Sequence, residues 1–206
     1  MTVVVIANPK GGVGKTTLAT NVAGFLASRG HAVMLGDADR QGSSQLWLGL
    51  RPAAARPISS WDVRGDTLVK PPKGTTHVVL DTPGGLHGRR LGEVVKLADQ
   101  IIVPLQPSVF DMFATRAFLD QLAEYRRISK VQVGIVGMRV DARTIAADNL
   151  QAFVVGLGFP VLGMVRDTQN YVHLAARGLS LFDVAPGRID KDLVQWEGIC
   201  NWLDPK

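Results

Sequence analysis

Six apolar runs rich in valine and isoleucine recur along the chain, at residues 2–8, 32–37, 77–81, 100–105, 131–138 and 160–165. Within them polar and apolar residues do not alternate, the pattern of strands buried on both faces, as in a parallel sheet. Between several of these runs the apolar positions recur at helical spacing, over 15–28, 86–98, 110–127 and 144–155. Strands alternating with helices predict a doubly wound α/β domain, its mostly parallel sheet flanked by helices. The stretch 51–76 breaks this rhythm. Its Pro52, Pro57, Pro71 and Pro72 predict a loop with little regular structure. The last segment, 190–203, sets Leu193, Trp196, Ile199, Cys200 and Leu203 at helical spacing and predicts a terminal helix docked on the core. Residues 190–206 carry Lys191 and Lys206 against Asp190, Asp192, Glu197 and Asp204, a net charge of −2. Helices that lie on membranes carry basic polar faces, so no membrane role is expected of this one.

Composition narrows the class. The 206 residues suffice for one domain, 1–206, with a sizeable core. At 46% hydrophobic and 20% charged the chain has the make-up of a globular protein, not a disordered one. No apolar run reaches the roughly 18–20 residues of a membrane-spanning helix. The opening Met1-Thr2-Val3-Val4-Val5-Ile6 lacks a basic n-region and reads as a strand, not as a secretion signal. The one cysteine, Cys200, argues against a disulfide framework, a thiolate zinc site and a cysteine-ligated cluster within one chain, and fits a reducing cytoplasm. A net charge of +5 favours a polyanionic partner such as nucleic acid or acidic lipid.

The candidate chemistry centres on Lys10-Gly11-Gly12-Val13-Gly14-Lys15-Thr16-Thr17, which follows a predicted strand and opens a predicted helix. Glycines let the backbone curl so that several N–H groups face one point, and the helix turns its positive end to the same point. These features predict a loop for the phosphates of ATP. Lys15 is expected to reach the β- and γ-phosphates, and the Thr16 hydroxyl to ligate Mg²⁺. The common phosphate loop has a glycine five positions before Gly14; here that position is Pro9, and a second lysine, Lys10, precedes the glycine pair. Carboxylates are expected where neighbouring strands end. Asp37 and Asp39 close the second apolar run and Asp81 the third. Asp81 is assigned to Mg²⁺ or its waters, and Asp39 to the metal site and to positioning the attacking water. Gly84-Gly85, directly after Asp81-Thr82-Pro83, form a candidate hinge for a loop that senses hydrolysis.

These residues resemble the ParA/MinD family of deviant-Walker ATPases. The resemblance lies in residues 8–17, in Asp37-Ala38-Asp39-Arg40-Gln41 and in Asp81-Thr82-Pro83-Gly84. Pro104-Leu105-Gln106-Pro107-Ser108, with Asp111 soon after, is similar to a further family segment. In size, and with no helix-turn-helix ahead of the loop, the chain looks most like the small ParA proteins. The resemblance implies that Lys10 is the signature lysine, which reaches across a nucleotide-sandwich homodimer to the partner's phosphates. It implies that Asp39 is the hydrolysis aspartate and Asp81 the second acidic motif. Arg40 stands where the family places proline. Arg139, after Met138, sits where relatives place base-contacting residues.

No obvious strong base lies near the loop and the site is assembled only on dimerisation, so weak basal hydrolysis is expected. The resemblance further implies an ATPase whose ATP-bound dimer binds DNA without sequence preference. Hydrolysis would be stimulated by a cargo-adaptor protein, and the cargo would be a plasmid, a chromosome region or an organelle such as a carboxysome. A cytoplasmic, nucleoid-associated location follows. Arg126, Arg127, Lys130, Arg166, Arg177, Arg188 and Lys191 are the candidate DNA contacts. A MinD-like membrane-associated positioning ATPase and a small-molecule kinase using the same loop stand as alternatives.

Overall fold

The computed structural model describes residues 1–64, 67–68 and 70–205. Seven strands form one all-parallel sheet. They are β1 (Thr2–Ile6), β2 (Val33–Asp37), β3 (Ser59–Trp61), β6 (His77–Asp81), β7 (Gln100–Leu105), β8 (Gln132–Met138) and β9 (Val161–Val165), in the order β3-β2-β6-β1-β7-β8-β9. A short antiparallel pair, β4 (Val63–Arg64) and β5 (Thr67–Leu68), stands apart from it. All six strands read from the apolar runs are present, each within a residue or two of its expected limits.

The sheet separates two apolar layers. On one side α1 (Lys15–Ser28), α2 (Ser43–Leu50), α6 (Gln169–Ala175) and α7 (Asp190–Leu203) pack around Leu18, Leu26, Trp47 and Trp196. On the other, α3 (Gly88–Leu97), α4 (Val109–Ala123) and α5 (Ile145–Val155) enclose Leu91, Phe118, Leu122 and Leu150. The terminal helix docks as expected: Trp196, Ile199 and Leu203 are buried against the edge strand β9. Backbone meets backbone there, since a Cβ on Gly163 would lie 2.6 Å from the Gln195 carbonyl oxygen.

Three departures from the sequence pattern have local causes. The stretch 51–76 does hold a core element. The three-residue β3 extends the sheet beside β2, and Trp61 fills the space over Gly36, where a Cβ would come within 2.7 Å of the indole. Helix α2 has only eight residues, and its amino end is capped by Asp37, whose Oδ2 accepts from Ser44 N (2.9 Å) and Gln45 N (3.1 Å). Helix α4 stops at Ala123, short of residue 127. Tyr125 takes an extended conformation, its hydroxyl donates to the Gly88 carbonyl at 2.8 Å, and Arg126–Lys130 continue as a 3-10 turn. Among the described residues no helix is long and apolar enough to cross a membrane.

Candidate functional site

Register brings the chemistry to one end of the sheet. Ile6 of β1 and Asp37 of β2 both pair with Asp81 of β6. With all strands parallel, the loop after β1, the turn after β2 and the segment after β6 emerge side by side.

In the first of these, Gly12 and Gly14 take positive φ (+73° and +97°), and α1 begins at Lys15. A Cβ on Gly14 would lie 2.8 Å from Met138 Cε, so the loop closes on the end of β8. Buried Asn8 fixes its base. Asn8 Nδ2 donates to the Pro104 carbonyl (2.8 Å) and to Thr115 Oγ1 (3.0 Å), while its Oδ1 accepts from Lys10 N (2.8 Å). Gln106 Nε2 donates to the Gly12 carbonyl at 3.0 Å. The sequence assigns neither Asn8 nor Gln106 a separate role. Their signal is an amide side chain at the end of an otherwise apolar run, inside the segments that resemble the family.

Lys15 is buried, and its Nζ donates to the Lys10 carbonyl at 2.7 Å. Burial pulls its ammonium below the ordinary value, while the Asp81 and Asp39 carboxylates oppose that shift. The Lys10 side chain is half-buried and makes no hydrogen bond or ion pair to a described residue. The Thr16 hydroxyl donates to Asp81 Oδ2 at 2.7 Å. Asp81 Oδ1 is buried with no hydrogen-bond partner among the described residues. Asp81 is pushed up to about 7, by burial foremost and by Asp37 and Asp39, against the Thr16 hydrogen bond and the Lys15 charge.

The other two carboxylates differ in role. Asp37 is fully engaged, because besides capping α2 its Oδ1 accepts from Asp39 N at 3.0 Å. Asp39 is half-exposed and holds the following turn through Gln41 N at 3.0 Å. Gly84 packs on the loop, where a Cβ would lie 3.4 Å from Gly11 N, and Gly85 N donates to the Pro9 carbonyl at 2.6 Å with φ at +70°. Among the described residues no three His, Cys, Asp or Glu side chains are grouped to hold a metal. One carboxylate with a spare oxygen beside a hydroxyl is what Mg²⁺ needs when nucleotide and water supply its remaining ligands.

Arg139 is exposed just beyond β8, at this same end, and is the one described non-glycine residue with positive φ (54°). The basic residues do not form one surface. Arg126, Arg127 and Lys130 are exposed where β8 begins, at the opposite end of the sheet. Arg166 follows β9 at the nucleotide-loop end, with Arg188 and Lys191 near the start of α7 and Arg177 just after α6. The Arg166 Nε donates to buried Asp192 at 2.6 Å.

Residues 4–182 match the CobQ/CobB/MinD/ParA nucleotide binding domain. The chain is 32% identical over 197 residues to the maintenance of carboxysome distribution protein A of Halothiobacillus neapolitanus, covering 91% of this chain and 90% of that protein. The same-named protein of Gloeobacter kilaueensis is 35% identical over 192 residues, covering 87% and 83%. The chromosome-partitioning ATPase Soj of Thermus thermophilus is 29% identical over 184 residues, covering 72% and 74%. Among solved structures, a Cyanothece McdA variant bound to ATP superposes with a TM-score of 0.76 at 17% identity, covering 98% of this chain and 96% of that one. MinD of Aquifex aeolicus gives 0.73 at 19% identity, covering 98% and 95%. These last two likenesses concern the fold.

Proposed function

The chain belongs to the CobQ/CobB/MinD/ParA nucleotide-binding family, and from that premise we propose that it is an ATP-driven dimerising switch that positions cargo on DNA. One observation carries the reading. The Thr16 hydroxyl and the Asp81 carboxylate meet beside a clamped phosphate loop, and one oxygen of that carboxylate is left over. Thr16 and Asp81 would hold the magnesium of ATP, Asp39 contributing from the neighbouring turn. The ion, when bound, supplies positive charge against the β- and γ-phosphates.

The chain's own residues do the rest. Lys15 exchanges the Lys10 carbonyl for a phosphate, a partner whose charge offsets the cost of burying its ammonium. Asp39 orients the attacking water, and the left-handed turn at Arg139 offers its side chain to the base. Lys10, unpaired within the described chain, crosses to the phosphates of a second copy. Two such clamps make dimerisation depend on the γ-phosphate, since a ligand shifts an equilibrium only by its differential affinity for the two states. Gly84, packed on Gly11, gives the segment after β6 a direct route to report hydrolysis.

Hydrolysis is slow until a cargo-adaptor protein completes the site. The dimer doubles the exposed basic residues and binds DNA phosphates without sequence preference. The names of the relatives, for carboxysome distribution and for chromosome partitioning, support an organelle or a chromosome region as cargo. The burial of the α7 apolar face weighs against a membrane anchor there.

The test follows oligomeric state by light scattering and binding to a random-sequence duplex, with ATP, with ADP and with neither. Lys15→Ala is expected to abolish nucleotide binding, and Lys10→Ala to bind ATP yet stay monomeric. Normal ATP-dependent dimers of Lys10→Ala would overturn the reading.

A further inference from the structure

Among the described residues only two phenylalanines are exposed, and they sit together. Helix α4 starts directly after the segment that follows β7, and its first turns leave Val109 50%, Phe110 75% and Phe113 70% exposed. Phe110 and Phe113 are three apart and neighbour one another on the helix surface. Scattered exposed apolar residues are ordinary, but paired exposed aromatics mark a surface that something covers.

Their place says what. Asn8 bonds both the Pro104 carbonyl and Thr115 of α4, and Gln106 bonds the Gly12 carbonyl. The start of α4 and the phosphate loop are thus one rigid piece, and Gly11 and Gly12 are themselves exposed. A copy that brings its Lys10 to this loop must lie over those glycines, and its edge then falls on the adjoining turns of α4. Charged groups crossing between subunits need an apolar surround that excludes water.

We propose that Val109, Phe110 and Phe113 form an apolar part of the surface that a second copy of this chain covers in the ATP state, an inference that rests on the dimerising-switch reading above. At roughly 200 Å² per phenylalanine, the two expose on the order of 300 Å² per copy. A two-fold interface uses the same patch twice, so about 600 Å² is contributed, over a third of a standard interface of about 1,600 Å². The patch also lies on the element the loop is bonded to, so covering it holds the loop still.

The experiment compares the intact chain with Phe110→Ser, Phe113→Ser and the double variant. Each is sedimented with Mg²⁺ and a non-hydrolysable ATP analogue, and fluorescent ADP is titrated against each. Both side chains are exposed, so folding and ADP affinity are expected to match the parent, with circular dichroism as the check. The dimer dissociation constant is expected to rise about tenfold for each single variant and further for the double. If the parent itself stays monomeric with the analogue, the switch reading fails and this inference with it. If the parent dimerises and the double variant shows the parent's dissociation constant, only this inference is overturned, and the patch belongs to a different partner.

Discussion

Replacing Asp81 by asparagine is expected to strengthen the nucleotide-free fold while removing its response to magnesium. Asp81 is pushed up to about 7, chiefly by burial. The native state therefore holds a proton that the unfolded state, at an ordinary carboxylate value of 3.8, has released. Stability from this group is fully present below that ordinary value and is lost as pH rises through 7. The interval is about three units at 1.36 kcal/mol each, so by pH 8 the ionised, half-partnered carboxylate costs about 4 kcal/mol. Asparagine carries no such charge, but its own buried NH₂ group needs an acceptor, at about 1–3 kcal/mol. That second cost does not depend on pH. The decisive quantity is thus the stability difference between Asp81→Asn and the parent, which should climb by about 2 kcal/mol from pH 5.5 to 7 and level off above. For a chain of this length that is a relative shift of about 4–8 °C in Tm. The assay is thermal unfolding without nucleotide across that range, repeated with Mg²⁺ and ADP. In the repeat, the parent should gain more from Mg²⁺ at pH 8 than at pH 5.5, and the variant should gain little at either. A stability difference that stays flat with pH would refute the argument.

Two further outcomes are expected. Asp39→Ala should bind ATP, remain dimeric and hydrolyse at least about 100-fold more slowly, measured by phosphate release; turnover at the parental rate would remove its assigned role. Arg51 and Asp183 form a closed pair, 5% and 2% exposed in their side chains, with Nη2 to Oδ1 at 2.7 Å. Asp183→Ala should cost about 3–5 kcal/mol, because it strands a buried guanidinium, and Arg51→Leu combined with Asp183→Leu should cost less. Burial raises Asp183, but its bonds to Arg51 and Ser180 outweigh this and hold it below the ordinary value. The pair's contribution is therefore present at neutral pH and lost as pH falls through that depressed value, which acid unfolding of parent and variant would show.

The strands were legible because burial on both faces leaves a continuous apolar run, and the phosphate loop because its glycines and lysines answer a local geometric demand. What escaped depends on distant partners. Helix α2 is capped by a residue six positions before its first, β3 is three residues held by Trp61 against Gly36, and α4 ends where Tyr125 finds Gly88. Thr16 and Lys15 both stand beside Asp81, which joins two motifs that are far apart along the chain. Asn8 and Gln106, whose bonds reach about a hundred residues along the chain, needed the fold to explain them. The basic residues were legible only as a list, since nothing in their spacing shows that the strands send them to opposite ends.

The seven-stranded sheet divides labour as well as space. Helix α1, which opens from the glycine-rich loop, rests on one layer, while α3 and α4 rest on the other. Side chains on opposite faces share only backbone, so changes in the two layers should add with little interference. A lineage could remodel the outward surfaces of α3 and α5 to suit a new passenger while the layer around α1, seated across the partition, stays unaltered.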